Sequence, residues 1–298
     1  MHVDRSEVLT EKRLPDSMTL DTLPLEEAIA LMNAQDALAV AAVQTQQTQI
    51  AAAVELVAVA IGAGGRLIYV GAGTSGRLGV LDATECPPTF RTEPRQVQGI
   101  IAGGESAMFR AAEGAEDNAD DGATAIDENY VDCHDVVMGI ASGGTTPYVH
   151  GALRRAAERG AQTIFLSCAQ PAPGEAPADV VIRPLTGPEV VTGSTRLKAG
   201  TATKLVLNTI STLAMVQLGK VYENLMVDLR ATNSKLHDRA VRIVCTLTGL
   251  DRQTAAHLLD RAGGHVKVAV VMQTKSLTAD AARAALDSVN GSLRAVIG

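Results

Sequence analysis

The stretch RLIYVGAGTSGRLG, residues 66–79, decides how the rest of the chain is read. An apolar run beginning at Leu67 passes straight into Gly71-Ala72-Gly73-Thr74-Ser75-Gly76, which satisfies the G-x-G-x-x-G pattern of a strand turning into a helix. Backbone N–H groups at such a helix start are unpaired and attract phosphate. A dinucleotide would need only bare backbone here, yet Thr74 and Ser75 supply two adjacent hydroxyls. A dinucleotide fold also asks for an unbroken helix after the glycines and an acidic residue about 20 positions on. In RLGVLDATECPP, residues 77–88, Pro87 and Pro88 speak against a long helix and push Cys86 toward extended backbone. The second apolar run ends in AGGE, with no acid in the expected place. These residues favour the phosphate of a small ligand. A nicotinamide dinucleotide and a glycine turn kept only for packing are the competing readings.

Working outward, short apolar runs recur at 67–72, 97–103, 135–141, 163–168 and 179–185, and each reads as a strand. Helical stretches are expected between them at about 105–128 and 147–159. A strand-helix series of this kind predicts an α/β fold with a parallel sheet flanked by helices, and a ligand site beyond the carboxyl ends of the strands. Before it, residues 1–24 read as an extended arm, and the Ala-rich segment Leu25–Ile61 reads as two helices broken near Gln44–Thr48. After it, a long helix is expected over Thr195–Leu218. GLDRQTAAHLLDRAGG and SLTADAARAALDSVNG each show a helix start and a glycine stop, and HVKVAVVMQTK between them is read as helix. The expected division is a domain over 1–239 and a small C-terminal helical domain over 240–298.

Composition limits the partners. The chain of 298 residues is 46% hydrophobic and 20% charged, which suits a folded protein with a sizeable core. Aromatic residues make up 2% and Trp is absent, so the core must be built from Ala, Val, Leu and Ile. A formal charge of −7 opposes broad contact with nucleic acid or an anionic membrane, so any phosphate site must be made locally. The longest apolar run, Ile50–Gly64, is interrupted by Glu55 and is too short to span a bilayer. No signal peptide is apparent, and a cytoplasmic location is expected. Cys86, Cys133, Cys168 and Cys245 form no C-x-x-C and read as reduced, mostly buried thiols, and the histidines show no spacing that suggests a metal site or a triad.

Two later stretches repeat the hydroxyl theme of the first. Ser142, Gly143, Gly144, Thr145 and Thr146 follow the third strand and precede Pro147, a natural first helical residue. In EVVTGSTRLKAGTATK, Gly193, Ser194 and Thr195 open the long helix, with Arg196 and Lys198 close behind. One hydroxyl at a helix start is usually only a cap. Three such starts at strand ends suggest a shared sugar-phosphate pocket.

GAGTSGRLGVLDATECPPTF, IAGGESAMFRAAEGAED, EVVTGSTRLKAGTATKLVLN and KVYENLMVDLRATNSKL together resemble the N-acetylmuramic acid 6-phosphate etherase family of the sugar isomerase (SIS) superfamily, over nearly the whole chain. At one loop the chain departs from the family, with Ser142-Gly143-Gly144-Thr145-Thr146-Pro147 where Ala-Ser-Gly-Arg-Thr-Pro is usual. The resemblance implies an SIS-type sheet of flavodoxin-like order, and a homodimer that shares its active site. It implies cleavage of the D-lactyl ether with water, in recycling of peptidoglycan sugars, without metal or organic cofactor. In the open-chain sugar the ether oxygen lies β to an aldehyde, so a base at C2 and an acid at the leaving oxygen make elimination possible, and water then adds to the double bond.

Glu85 and Glu116 match the family's two functional glutamates. Glu85 is expected to protonate the departing lactate, which calls for a dry pocket or a nearby negative charge. Glu116 is expected to be the base. If its segment is helical, Glu113, Glu116, Asp117 and Asp120 share one face, and their crowding favours a base that works near neutrality. The expected substrate-binding residues are Gly73, Thr74, Ser75, Gly76, Ser142, Thr145, Glu189, Ser194, Thr195 and Lys198. Rival readings are a non-catalytic SIS sugar-phosphate sensor, which would not need the glutamate pair, and an SIS aldose–ketose isomerase, which would release no lactate.

Overall fold

The computed structural model describes residues 8–229 and 233–298. Part of the N-terminal arm and Arg230–Thr232 of the last quoted motif lie outside the described residues. The chain divides into two compact units, one running to Ala83 and resuming over Gln96–Ile210, the other made of Thr84–Arg95 and Ser211–Gly298.

The first unit is built on five parallel strands, β1 Leu67–Gly71, β2 Val97–Ile101, β3 Val136–Ile140, β4 Gln162–Leu166 and β5 Val180–Ile182. Their order is β2-β1-β3-β4-β5, the flavodoxin-like arrangement. Every residue of β1 and β3 is buried, as covered faces require. The order in which strands are added changes direction between β1 and β3, so the connections leaving these two strands part from each other there and open a crevice.

Helices α1 Leu25–Gln44 and α2 Gln47–Gly62 precede the sheet, α3 Gly73–Phe90 follows β1, and α4 Ala119–Glu128 and α5 Pro147–Glu158 flank β3. The arm before α1 is not extended: it makes two short 3-10 turns, Leu9–Glu11 and Pro15–Ser17. Two glycines let α4 and α5 touch backbone to backbone. A Cβ at Gly122 would stand 1.9 Å from the Tyr148 carbonyl oxygen, and one at Gly151 would stand 1.9 Å from that of Ala119.

Two local expectations are overturned. α3 runs unbroken through Pro87 and Pro88, so the prolines that argued against a long helix do not stop it. Proline inside a helix costs about 3 kcal/mol. Here both lie near the helix end, where few carbonyls lose a donor, and Cys86 and Phe90, four apart on one face, are 2% and 7% exposed. Burying such side chains returns roughly 1.5–3 kcal/mol each. The expected helix at 105–128 is also broken. A 3-10 turn over Glu105–Met108 and an irregular loop come first, and α4 begins only after Asn118, whose Oδ1 accepts from the N–H groups of Asp120 and Asp121. Gly114, at φ +74°, interrupts the stretch, and the local side-chain cap of Asn118 is a stronger helix start than anything upstream.

α6, Lys198–Gln217, starts in the first unit. The second unit carries α7 Ser234–Thr248, α8 Arg252–Arg261, α9 Val266–Lys275, α10 Ala279–Asp287 and α11 Leu293–Ile297. Asn233, Asp251, Thr278 and Ser292 each cap the helix that follows. α9 is the segment HVKVAVVMQTK, and Val266–Met272 are buried all round. A helix buried on every side has no polar stripe, which is why its sequence can pass for a strand.

Candidate active site

At the carboxyl edge of β1 and β3 lies a cavity of about 290 Å³ lined by three hydroxyl-bearing loops. Gly73, Thr74 and Ser75 come from the start of α3, Ser142, Gly143, Thr145 and Thr146 from the loop before α5, and Gly193 and Thr195 from the segment before α6. The first loop is shaped by its glycines. Gly73 holds φ +52°, and a Cβ on Gly76 would stand 2.6 Å from the Gly71 carbonyl oxygen, so α3 can press against the end of β1. Gly76 therefore serves this packing and does not itself line the cavity. Tyr69 Oη donates to Asp82 Oδ2 at 2.8 Å, and Asn208 Nδ2 donates to Asp82 Oδ1 at 2.6 Å, which fixes α3 against β1 and α6.

The second loop joins the first where Ser75 Oγ and Ser142 Oγ stand 3.4 Å apart. Gly144, at φ +79°, turns the backbone so that its N–H reaches the Ala141 carbonyl at 2.8 Å. His150 locks that turn. Its Nε2–H donates to the Gly144 carbonyl at 2.8 Å while Nδ1 accepts from the Ala176 N–H at 3.2 Å, so the ring is held neutral in one tautomer. Burial pushes its pKa below the usual histidine range in agreement. His150 is thus a brace of the loop.

The third loop is anchored from beneath. Glu189, wholly buried, accepts from the Lys198 N–H and the Ala199 N–H at 3.0 Å each, capping α6 from outside it. Burial raises the pKa of this carboxyl. Lys198 is 2% exposed and donates through Nζ to Gln35 Oε1 of α1 at 2.6 Å, and burial lowers its pKa. Neither Glu189 nor Lys198 lines the cavity. The lysine, one of the expected substrate-binding residues, joins α6 to α1 through its bond to Gln35. Ser194 turns the loop through its N–H to the Val191 carbonyl at 2.9 Å and does not line the cavity either. Glu189→Gln is expected to lower unfolding stability by about 1–3 kcal/mol, because one capping acceptor becomes a donor facing a donor. A urea titration with unchanged m-value measures it.

Glu116 lines the cavity from the loop between β2 and α4, and is half-buried. Since that loop is irregular, Glu113, Glu116, Asp117 and Asp120 do not form the helical face expected of them. What positions Glu116 is its backbone: its carbonyl accepts from the Tyr148 N–H at 3.0 Å, a first-turn donor of α5 with no partner in its own helix. Arg77 of α3 braces the same loop, donating from Nε to the Met108 carbonyl and from Nη2 to the Arg110 carbonyl, 3.1 Å each. Sequence reasoning missed Arg77 and Asn118, although an Asn followed by two acids in the first turn is a readable cap signal. It also missed Val8 and Glu11, which line the cavity from the N-terminal arm. Glu85 does not line it. It is exposed on α3, in the part of that helix that belongs to the second unit.

Among the described residues, one group of metal-capable side chains lies close together, Asp132, Cys133 and His134. All three are exposed, on the turn leading into β3 and so at the opposite edge of the sheet, and His134 Nδ1 sits 3.0 Å from Asp132 Oδ1, within ordinary hydrogen-bond distance. Of the cysteines, Cys86 and Cys168 are buried, Cys245 is half-buried and Cys133 is exposed. Burial pushes Cys168 up to about 12. No helix among the described residues is long and apolar enough to cross a membrane.

Comparison with known proteins agrees with this layout. Residues 49–157 match the glucokinase regulatory protein N-terminal SIS domain, and residues 223–286 match the C-terminal lid domain of glucokinase regulatory protein. Among solved structures, a candidate phosphosugar isomerase involved in capsule formation from Bacteroides fragilis superposes with a TM-score of 0.52 at 18% identity, covering 67% of this chain and 95% of that one, a likeness of fold. The N-acetylmuramic acid 6-phosphate etherase of Synechocystis sp. is 54% identical over 98% of this chain and 95% of its own length. That of Microcystis aeruginosa is 53% identical over 98% and 96%. With an SIS-type sheet, hydroxyl loops converging at its carboxyl edge and identity of this extent along nearly the whole length, the chain belongs to the N-acetylmuramic acid 6-phosphate etherase family.

Proposed function

We propose that this chain cleaves the D-lactyl ether of N-acetylmuramic acid 6-phosphate with water, giving N-acetylglucosamine 6-phosphate and D-lactate. The observation that carries the reading is the meeting of three hydroxyl loops and the Glu116 carboxylate around one cavity. Hydroxyls and helix-start N–H groups suit a phosphate. They bind it without a lysine, as Lys198 is occupied elsewhere. Removing the lactyl group turns a wall-specific sugar into a common amino-sugar phosphate, which suits a role in recycling peptidoglycan.

In the open-chain aldehyde, Glu116 takes the proton from C2. The electron pair left there forms a C2–C3 double bond as the C3–oxygen bond breaks, and the lactyl oxygen takes a proton from Glu85. Water then adds across the double bond: Glu85 takes a proton from the water as its oxygen bonds to C3, and Glu116 returns a proton to C2, so both carboxyl groups regain their starting states. Each proton transfer is worth roughly 10²–10⁴-fold. Glu85 serves the cavity of a second subunit in this reading, consistent with its place far along α3. A homodimer also has apolar surface to bury. Leu25, Ile29, Leu38 and Val40 of α1 are exposed, Leu25 at 75%, and Gln35 and Ala39 are the residues α1 buries.

Incubation with the sugar phosphate in heavy-oxygen water tests the reaction. Elimination and re-addition place solvent oxygen on C3 of the amino sugar and none in the ether-derived hydroxyl of lactate. Label in that hydroxyl, or no lactate at all, would sink the proposal.

A further inference from the structure

The cavity holds a second carboxylate, brought by the N-terminal strap. Leu9–Glu11 form one 3-10 turn, and Val8 and Glu11 line the same space as Ser142, Thr195 and Glu116. The strap is bonded to the third loop, where the Gly193 N–H donates to the Thr10 carbonyl at 3.2 Å. Gly193, at φ +76°, also leaves the room that Glu11 uses: a Cβ there would lie 2.9 Å from Glu11 Oε2. Toward the second loop, Thr10 is wholly buried, its Oγ1 has no hydrogen-bond partner among the described residues, and a Cβ at Gly143 would stand 3.7 Å from it. A buried hydroxyl left unpaired is costly.

The charge of Glu11 orients the ligand. A carboxylate repels a phosphate dianion, so the phosphate belongs with Thr74, Ser75 and the second loop, and the uncharged end of the sugar belongs beside Glu11 and the third loop. That end contains C1. Elimination cannot begin until the ring is open, because only the free aldehyde makes the C2 proton acidic. Opening removes a proton from the C1 hydroxyl and delivers one to the ring oxygen as the C1–O5 bond breaks and the C1 carbonyl forms. Both oxygens sit on one carbon, within reach of one carboxyl group, which returns to its starting charge. Among the described residues lining the cavity, the carboxylates are Glu11 and Glu116, and Glu116 is engaged at C2.

We infer that Glu11 is the catalytic residue that opens the sugar ring, carrying the proton from O1 to O5. This rests on the proposed etherase reaction and adds a step to it. The test compares Glu11→Gln with wild type on two substrates, the natural sugar phosphate and a 4,5-dideoxy analogue that keeps the aldehyde, acetamido, lactyl and 6-phosphate groups but cannot close a ring. On the natural substrate the variant should lose at least about 10²-fold in kcat with KM little changed. On the acyclic aldehyde it should match wild type. Equal slowing on both substrates, no slowing on either, or a rise in KM alone overturns the assignment of Glu11, as does wild-type enzyme that cleaves the natural sugar but leaves the aldehyde intact. Wild type that releases lactate from neither overturns the etherase reading itself. A melting temperature equal to wild type checks that the isosteric change leaves the strap seated.

Discussion

Glu116→Gln is expected to fold as wild type and to bind the sugar phosphate, while lactate release falls by about 10²–10⁴-fold, the usual worth of a positioned base. The change is nearly isosteric, and the anchor of the loop is the Glu116 backbone carbonyl on the Tyr148 N–H, which an amide side chain does not disturb. Asn118 and Arg77, the other restraints on the loop, are also untouched. Thermal melting should therefore barely move. A second reading separates base from bystander. In deuterated water wild type is expected to exchange the C2 hydrogen of its amino-sugar product, and the variant to lose that exchange together with lactate release. Retained exchange with lost lactate would place Glu116 at the leaving group and reverse the two roles.

Glu85→Gln should lose turnover to a similar extent, about 10²–10⁴-fold, but its more telling result comes from mixing. If Glu85 of one subunit completes the cavity that Glu116 lines in the other, a heterodimer of Glu85→Gln and Glu116→Gln subunits contains one site with both glutamates intact. Random reassortment of the two inactive proteins then restores about a quarter of wild-type activity, since half of the dimers are mixed and each has one working site of two. If both glutamates of a site came from the same subunit, mixing would restore nothing. Lactate release after co-refolding or co-expression distinguishes the cases. The prediction follows from Glu85 being exposed on α3 and absent from the residues lining the cavity.

Much of the fold was legible because its signals are local. The five apolar runs became five strands within a few residues of their expected bounds, and the break near Gln44–Thr48 separates α1 from α2. Strand periods, glycine turns and caps act over a few neighbours, so the order of residues carries them. Thr74, Ser75, Ser142, Thr145 and Thr195 were readable for the same reason, each standing at a strand end or helix start, and they do line one cavity. Where reading failed, burial and tertiary partners that residue spacing does not encode had decided the outcome. Burial of Cys86 and Phe90 carried α3 past two prolines. Gln35, 163 positions from Lys198, holds that lysine's Nζ, and Lys198 does not line the cavity. Periodicity could place Glu116 near a helix, but a contact to the remote Tyr148 N–H holds its backbone at the cavity.

The sequence by itself thus determined the parallel sheet, the hydroxyl loops at its carboxyl edge and the family, because these depend on side-chain period, turn chemistry and short motifs. The tertiary structure alone decided which charged groups face the cavity. A charged side chain goes where its burial and its partners allow, and Glu11 and Lys198 have neighbours or partners supplied by remote segments.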